Sequence, residues 1–196
     1  MEQPPERAGH EPLTEEQLHA STVGELRVHE GPIQLADYDP AWPELFARER
    51  QRIAAALGEG ALRIEHVGST AVPGLAAKPI IDILLVVADS ADEETYTPAL
   101  EAADYVLRVR EPDWYEHRMF RGANVQVHVL SEGCPEIERM LLFRDRLRID
   151  QADRELYERR KRELAREEWK YVQNYADAKG DVVEGIIARA RAEPRG

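Results

Sequence analysis

The segment from Leu62 to Val87, which reads LRIEHVGSTAVPGLAAKPIIDILLVV, constrains the fold of this chain more than any other part of the sequence. It contains two apolar runs joined by a loop rich in small residues, and the second run encloses one carboxylate, Asp82. Burying an ionised carboxylate is costly unless the group is paired or holds a metal. We therefore expect Asp82 to face a cation or a strong hydrogen-bond donor.

The apolar runs are predicted β-strands. Residues 79–87 form a near-continuous apolar run, which is typical of a central strand with both faces covered. A preceding strand is predicted to begin at Leu62 and to end at a Gly-Ser-Thr turn, and others are predicted over residues 33–36 and 105–110. In residues 124–130 valines alternate with polar residues, so His128 lies on the polar face of a further strand. The segment DWYEHRMFRG, residues 113–122, is interpreted as the connection that leads into it.

Helical patterns flank these strands. Thr14 and Gln17 match a capping box, which predicts a short helix over residues 14–20, and another helix is predicted to follow Pro40 and to stop at Gly58. From about residue 135 the pattern is helical, with a break near Gly180. The sequence thus indicates an acidic N-terminal extension over residues 1–30, disordered over residues 1–12, and one domain over residues 31–196.

Composition limits the partners of this chain. The net charge is −12, and a globally acidic protein is poorly suited to coat nucleic acid, which requires clustered lysine and arginine. The chain has no apolar segment of the roughly 18 residues needed to span a bilayer, and its N-terminus lacks the features of a signal peptide. With a single cysteine, Cys134, the sequence has no internal disulfide, and we expect a cytoplasmic protein.

Several common catalytic motifs are absent from the sequence. The loop GSTAVPGLAAK contains a lysine, but Lys78 is followed by proline and the spacing differs from that of a P-loop. No dinucleotide-binding glycine motif, H-E-x-x-H motif or G-x-S-x-G motif occurs. Cys134 has no adjacent base and is interpreted as an inert residue.

The remaining candidates are groups that can bind a phosphate and a cation. The small residues Gly68 and Ser69 allow a phosphate to approach backbone N–H groups, and the serine hydroxyl adds a donor. Asp82 on the next strand can hold Mg²⁺, which prefers carboxylate and phosphate oxygens. The alternative interpretation of the same spacing is a tight turn in which Asp82 pairs with a buried arginine or lysine.

These residues also carry a resemblance to a known family. The string EHVGSTAVPGLAAKPIIDI, with YDPAWP before it and HRMF, VHV and LLFRDRLR after it, closely resembles the GrpB family. Two tyrosine–lysine pairs near the end, Tyr157 with Lys161 and Tyr175 with Lys179, add to the match. That family belongs to the nucleotidyltransferase superfamily, with a fold like the palm of DNA polymerase beta. The resemblance therefore implies an α+β fold, a nucleotidyltransferase-like mixed β-sheet flanked by helices, with a helical C-terminal part.

The resemblance also implies a site. The superfamily has a Gly-Ser turn, two carboxylates one residue apart on the next strand, and a third on a later strand. Asp82 matches one carboxylate, but Ile80 and Leu84 stand where its partner is expected, and His128 stands at the position of the third. One aspartate and one histidine form a thin ligand set for two-metal catalysis, so the expectation is a single cation, Mg²⁺ or Mn²⁺, held by Asp82 and His128, or no metal at all.

Basic residues at the matched positions are expected to bind phosphate. The full set of expected nucleotide-binding residues is Gly68, Ser69, Thr70, Lys78, Arg118, Arg144, Lys161 and Lys179. For the basic residues, the alternative is surface ion pairing with no ligand.

The predicted function is therefore binding of a nucleoside triphosphate with a divalent cation and transfer of its nucleotidyl group to a small acceptor, with Asp82 and His128 as catalytic residues. The alternative is a non-catalytic module of the same fold that binds a nucleotide, a coenzyme A-type molecule or another phosphorylated ligand. An interaction protein without a small ligand is a third interpretation.

Overall fold

The computed structural model describes residues 13–193. Within them the strands are β1 (Arg63–Val67), β2 (Ile81–Val87), β3 (Val106–Glu111), β4 (His117–Arg121) and β5 (Val125–Ser131). The α-helices are α1 (Glu15–Ser21), α2 (Trp42–Leu57), α3 (Thr97–Ala102), α4 (Pro135–Ile149), α5 (Gln151–Leu164), α6 (Val172–Asp177) and α7 (Gly180–Ala192).

The five strands form one mixed sheet in the order β1-β2-β5-β4-β3. β2 pairs with β5 in parallel, and the other neighbouring strands pair in antiparallel fashion. β2 therefore lies inside the sheet, as its near-continuous apolar sequence predicts. The predicted α+β class is confirmed: the structure has a mixed sheet, flanking helices and a helical C-terminal part.

The two faces of the sheet have different roles. On one, which we call the core face, Ile83, Leu85 and Val127 pack in the main hydrophobic core with residues of α2 and α3. On the opposite side, the site face, Leu84 and Val86 pack in a smaller cluster with the start of α4. Asp82 shares the site face but lies at the beginning of β2, where its side chain keeps 27% of its exposure. The beginning of β2 on this face is therefore open to a ligand.

Most predicted elements are present. Thr14 caps α1 in a complete capping box with Gln17, and α2 ends at Gly58. The prediction of a strand over residues 33–36 is wrong. Ala36 forms an isolated β-bridge with Ala77 instead. The helical C-terminal part divides into α5, α6 and α7.

The interpretation of residues 113–122 as a connection is wrong for part of that segment, because residues 117–121 form β4 between β3 and β5. Strand alternation is present there, with Phe120 in the core. It is obscured in the sequence because buried Arg118 replaces an apolar residue on the core face.

Residues 13–30, which we call the N-terminal segment, are docked on the domain. Leu18 in α1 is buried, and Thr22 forms a bridge with Val109 of β3. At its C-terminal end, the backbone N–H of His29 donates to the carbonyl oxygen of Lys170. The segment thus joins the β3 edge to the C-terminal part. The prediction of disorder for residues 1–12 concerns residues outside those described.

Across residues 13–193, every helix is too short or too polar to cross a membrane.

Candidate functional site

The turn between β1 and β2 brings the backbone of Gly68 against the carboxylate of Asp82. Gly68 has a φ of +69°, and a Cβ atom placed on it would lie 2.4 Å from Asp82 Oδ2. A side chain at this position would therefore collide with the carboxylate in addition to straining the backbone. Ser69 follows directly and begins a short 3-10 turn that is only partly covered.

Thr70, predicted to bind nucleotide, is instead part of the internal bracing of this loop. It is 1% exposed, and its hydroxyl donates to the carbonyl oxygen of Ile80 at 3.3 Å. Its oxygen lies 3.0 Å from His66 Nε2, so that nitrogen carries the hydrogen. Burial lowers the pKa of His66 to about 4, so the ring is neutral near pH 7. Through these two hydrogen bonds Thr70 connects His66 at the end of β1 to Ile80 just before β2.

Three predicted lysines converge beside Asp82, and we call Lys78, Lys161 and Lys179 the lysine cluster. Lys78 precedes β2, Lys161 lies on α5, and Lys179 lies between α6 and α7. None of the three forms an ion pair within 4.0 Å among residues 13–193, although Lys161 Nζ donates to the carbonyl oxygen of Ala76. The cluster therefore holds closely spaced positive charge that no carboxylate of the described chain neutralises by contact.

Burial and mutual repulsion act together on the lysine cluster. Desolvation lowers the pKa of Lys161 and that of Lys179 to about 7, and repulsion from the neighbouring lysines adds to the effect. Desolvation also lowers the pKa of Lys78, and the carboxylate of Asp82 opposes all three shifts. An anion placed among these ammonium groups would restore their charged form.

Two tyrosines frame the lysine cluster. Lys179 Nζ lies 3.9 Å from the ring centre of Tyr175, and Lys161 Nζ lies 5.3 Å from that of Tyr157. Burial raises the pKa of the Tyr157 hydroxyl, while a hydrogen bond with Ser69 lowers it. The buried hydroxyl of Tyr175 has no hydrogen-bond partner among the described residues. A buried hydroxyl without a partner is uncommon, and it fits a site that is completed by an acceptor atom.

A chain of polar side chains crosses the site face from Asp82. His128 Nε2 lies 3.8 Å from Asp82 Oδ1, His128 Nδ1 lies 3.1 Å from His117 Nε2, and His117 Nδ1 lies 2.7 Å from Glu111 Oε2. The carboxylate of Glu111 accepts a hydrogen from His117 Nδ1. In neutral His117 the Nε2 atom is then an acceptor and His128 Nδ1 carries a hydrogen, so a neutral His128 would present the Nε2 lone pair towards Asp82.

This arrangement fits a divalent cation. A carboxylate oxygen and an imidazole lone pair that face each other repel unless a proton or a metal ion lies between them. Residues 13–193 contain no group of three histidine, cysteine or acidic side chains with metal-binding spacing. Asp82 and His128 would therefore hold the cation as a pair, and phosphate oxygens and water would supply the remaining ligands.

Two arginines predicted to bind nucleotide are engaged elsewhere. Arg118 points to the core face, where its guanidinium donates to Glu93 and Glu116. Arg144 of α4 donates to Glu65, to Asp145 and to the carbonyl oxygen of His66. The structure thus brings together Gly68, Ser69, Lys78, Asp82, His128, Lys161 and Lys179, and it separates Arg118 from them.

Sequence reasoning missed Arg121 and did not connect His117 to His128. Arg121 pairs in register with Gln126, lies on the site face and acts electrostatically on Lys78. The signal was present in the alternation of HRMFR, because residues 117, 119 and 121 share one face of a strand. A predicted strand over residues 117–121 would have placed both Arg121 and His117 on the face that carries His128.

Comparisons with known proteins agree with the fold. The model of the GrpB protein family matches residues 32–189. UPF0157 protein BH1888 of Halalkalibacterium halodurans is 58% identical over 183 residues, which cover 92% of this chain and 94% of that protein. The crystal structure of conserved protein GrpB from Enterococcus faecalis has a TM-score of 0.71 and 32% identity, and the match covers 80% of this chain and 96% of that one.

A further match concerns part of a longer protein. Dephospho-CoA kinase of Mycolicibacterium paratuberculosis is 32% identical over 159 residues, which cover 67% of this chain and 39% of that protein.

Proposed function

The chain belongs to the GrpB family, and from that premise we propose that it binds a nucleoside triphosphate together with a divalent cation and transfers the nucleotidyl group to a small acceptor. The observation that carries the proposal is the lysine cluster: one buried lysine, Lys161, and two half-buried ones, without an ion pair among the described residues, next to Ser69 and Asp82. Buried charges are normally paired, so this arrangement calls for an anion.

A polyphosphate suits the site because it carries several charged oxygens over a short distance. The lysine cluster would bind the phosphate tail, with the Ser69 hydroxyl as an additional donor. When bound, the divalent cation supplies charge neutralisation at the phosphate oxygens through Asp82 and His128. The two sets of groups would thus hold the same phosphate chain from different sides.

In the proposed reaction an acceptor hydroxyl or amine attacks the α-phosphate and pyrophosphate leaves. The bond from the acceptor atom to phosphorus forms as the bond between the α-phosphorus and the bridging oxygen breaks, and the acceptor proton passes to solvent. The chain contributes positioning of the triphosphate and positive charge for the departing pyrophosphate.

A second candidate is a binding module without transfer activity. It is favoured by Ile80 and Leu84, which stand on either side of Asp82 where a second carboxylate would be required for a two-metal site. Its ligand would be a nucleotide, a coenzyme A-type molecule or another phosphorylated compound. The similarity to part of a dephospho-CoA kinase makes coenzyme A and its dephospho form rational ligands to test.

Isothermal titration calorimetry with each nucleoside triphosphate, with and without Mg²⁺ or Mn²⁺, tests the binding. We expect Lys161→Met and Lys179→Met to weaken binding at least tenfold, since a charge-assisted hydrogen bond contributes about 1.5–3 kcal/mol. Lys170→Met is the matched control, because Lys170 is an exposed lysine paired with Glu15. Absence of heat with every nucleotide, or equal affinity in all three variants and the wild type, would contradict the proposal.

Transfer is tested separately with triphosphates radiolabelled at the α-phosphate and a panel of small hydroxyl and amine acceptors. Transfer of label to an acceptor by the wild type, but not by Asp82→Asn, supports nucleotidyltransferase activity. Binding without transfer supports the binding module, for which coenzyme A and dephospho-coenzyme A are titrated in the same way.

A further inference from the structure

A cavity of about 530 Å³ lies between the site face of the sheet and the N-terminal segment. Its floor includes Gln126 and His128 of β5, and its roof includes Leu18 and Leu26 of the N-terminal segment. Small-molecule sites are typically concave and have volumes of roughly 300–1,000 Å³. The cavity is therefore large enough for a small organic ligand.

The cavity adjoins the proposed nucleotide site but is made of other residues. None of the lysine cluster lines it, whereas His128 belongs to its floor and lies 3.8 Å from Asp82. The roof precedes residues 32–189, the part of the chain that matches the family model. A ligand held here would thus contact both the family domain and the N-terminal segment.

Three arginines line the cavity; Arg27 is exposed on the N-terminal segment, and the other two belong to the sheet. Arg108 of β3 and Arg121 of β4 both line it, and neither side chain has an ion pair or hydrogen bond with another described residue. Three glutamates also line it: Glu111 contacts His117, Glu136 is paired with Arg139, and Glu25 is exposed on the roof. The arginines therefore remain available for an anion.

The other walls combine an unsatisfied polar atom with apolar surface. His29 lines the cavity, and its buried Nε2 atom has no hydrogen-bond partner among the described residues. Trp114, Leu26 and Met140 supply aromatic and aliphatic surface. A few convergent polar groups on largely apolar walls are typical of a site that orients one functional group and buries the rest of the molecule.

We propose that this cavity is a second ligand site, which binds a small organic anion with an apolar body. The arginines contact the anionic group, and the leucine, methionine and tryptophan side chains contact the body. The binding does not depend on the proposed nucleotide function, because the lysine cluster takes no part in it.

The probe is 8-anilinonaphthalene-1-sulfonate, an aromatic sulfonate whose fluorescence rises on apolar burial, with N-phenyl-1-naphthylamine as its neutral counterpart. We expect saturable binding of one sulfonate by the wild type. Arg108→Gln should weaken sulfonate binding about tenfold, since a charge-assisted contact is lost, and leave the neutral probe unchanged. Leu26→Trp, which narrows the cavity, should weaken both probes.

Arg110→Gln is the matched control, because Arg110 lies on the same strand but is paired with Glu93 away from the cavity. If Arg108→Gln does not fold, as judged by circular dichroism, Arg121→Gln replaces it. Sulfonate affinity within twofold of the wild type in the arginine variant, or an equal loss in Arg110→Gln, would overturn the proposal. Lys161→Met should bind the sulfonate as the wild type does, so a failure of nucleotide binding and a failure of this site are distinguishable.

Discussion

At the scale of single residues, Gly68 and Asp82 depend on each other. The carboxylate approaches the backbone of Gly68 so closely that a Cβ atom would lie 2.4 Å from one oxygen and 2.9 Å from Asp82 Cβ. Both atoms belong to a side chain whose base is fixed in β2, so neither can move away freely. Glycine at this position is therefore required for the position of the carboxylate as well as for the turn.

We expect Gly68→Ala to lower the free energy of unfolding by at least about 2 kcal/mol, since it adds a collision to the strain of a positive φ. Gly74→Ala is the control: Gly74 has a similar φ of +79°, but a Cβ atom there meets nothing within 4 Å. Gly74→Ala should lower the free energy of unfolding by about 1 kcal/mol, from backbone strain alone. Urea denaturation measures both variants, and equal losses would show that the collision is relieved by small movements.

At the scale of elements, β4 decides which charged residues can reach the site. His117 and Arg121 lie on the site face, and Arg118 between them lies on the core face. Hydrogen bonds from Arg110 and Arg118 lower the pKa of Glu93 to about 2 and outweigh the effect of its burial. Arg118 thus holds the segment before α3 against the sheet.

We expect Arg118→Gln to destabilise the fold by about 1–3 kcal/mol, because the side chain is 5% exposed and donates to the partly buried carboxylate of Glu93 and to the buried carbonyl oxygen of His117. Triphosphate affinity should be unchanged. Arg121→Gln, three residues further along the strand and exposed, should cost less than about 0.5 kcal/mol. Urea denaturation measures the stability of both variants, and calorimetry measures their affinity for nucleotide. A loss of nucleotide affinity in Arg118→Gln without a loss of stability would show that Arg118 contributes to nucleotide binding.

At the scale of the whole molecule, the fold concentrates positive charge inside an acidic protein. The net charge of the chain is −12, yet lysines at positions 78, 161 and 179 meet beside the sheet. They are far apart in sequence, so only the packing of α5 and the α6–α7 junction against the loop before β2 joins them. We expect the resulting local field to favour a small polyphosphate that can enter the cluster over an extended nucleic acid.

This arrangement predicts a pH dependence of triphosphate binding. Burial lowers the pKa of Lys161 and Lys179 to about 7 in the free protein, and a bound polyphosphate would raise both. Binding therefore takes up protons above pH 7, and affinity should fall by up to about tenfold per lysine for each pH unit between about pH 7 and about pH 9. Calorimetry in buffers of different ionisation enthalpy measures the uptake.

The lysine variants separate this effect from the titration of the ligand. Lys179→Met should lose one proton of uptake, and Lys170→Met should retain the dependence of the wild type. An affinity that stays constant over the same pH range would show that these lysines do not contact the phosphates.

Whether an element could be predicted from the sequence depends on how far apart along the chain its interacting residues lie. The capping box at Thr14, the Gly58 stop and the apolar run of β2 are local patterns, and each predicts its element because the responsible contacts lie within a few residues. β4 was missed because its alternation contains a charged residue, Arg118, on the core face, where it pairs with Glu93, more than twenty positions away. The polar face of β5 was predictable from its period alone, whereas the partial exposure of Asp82 was not, because its place in an apolar run indicates a buried carboxylate.

The sequence by itself determined the family, the α+β class and the position of Asp82 after a Gly-Ser turn, because these depend on contiguous residues and short spacings. The tertiary structure decided that three lysines converge without ion pairs among the described residues, that Arg118 faces the core, and that the N-terminal segment covers a cavity beside His128. Those features depend on which elements pack together and on which face each side chain leaves its strand, and both are set by burial of the entire apolar surface rather than by local sequence.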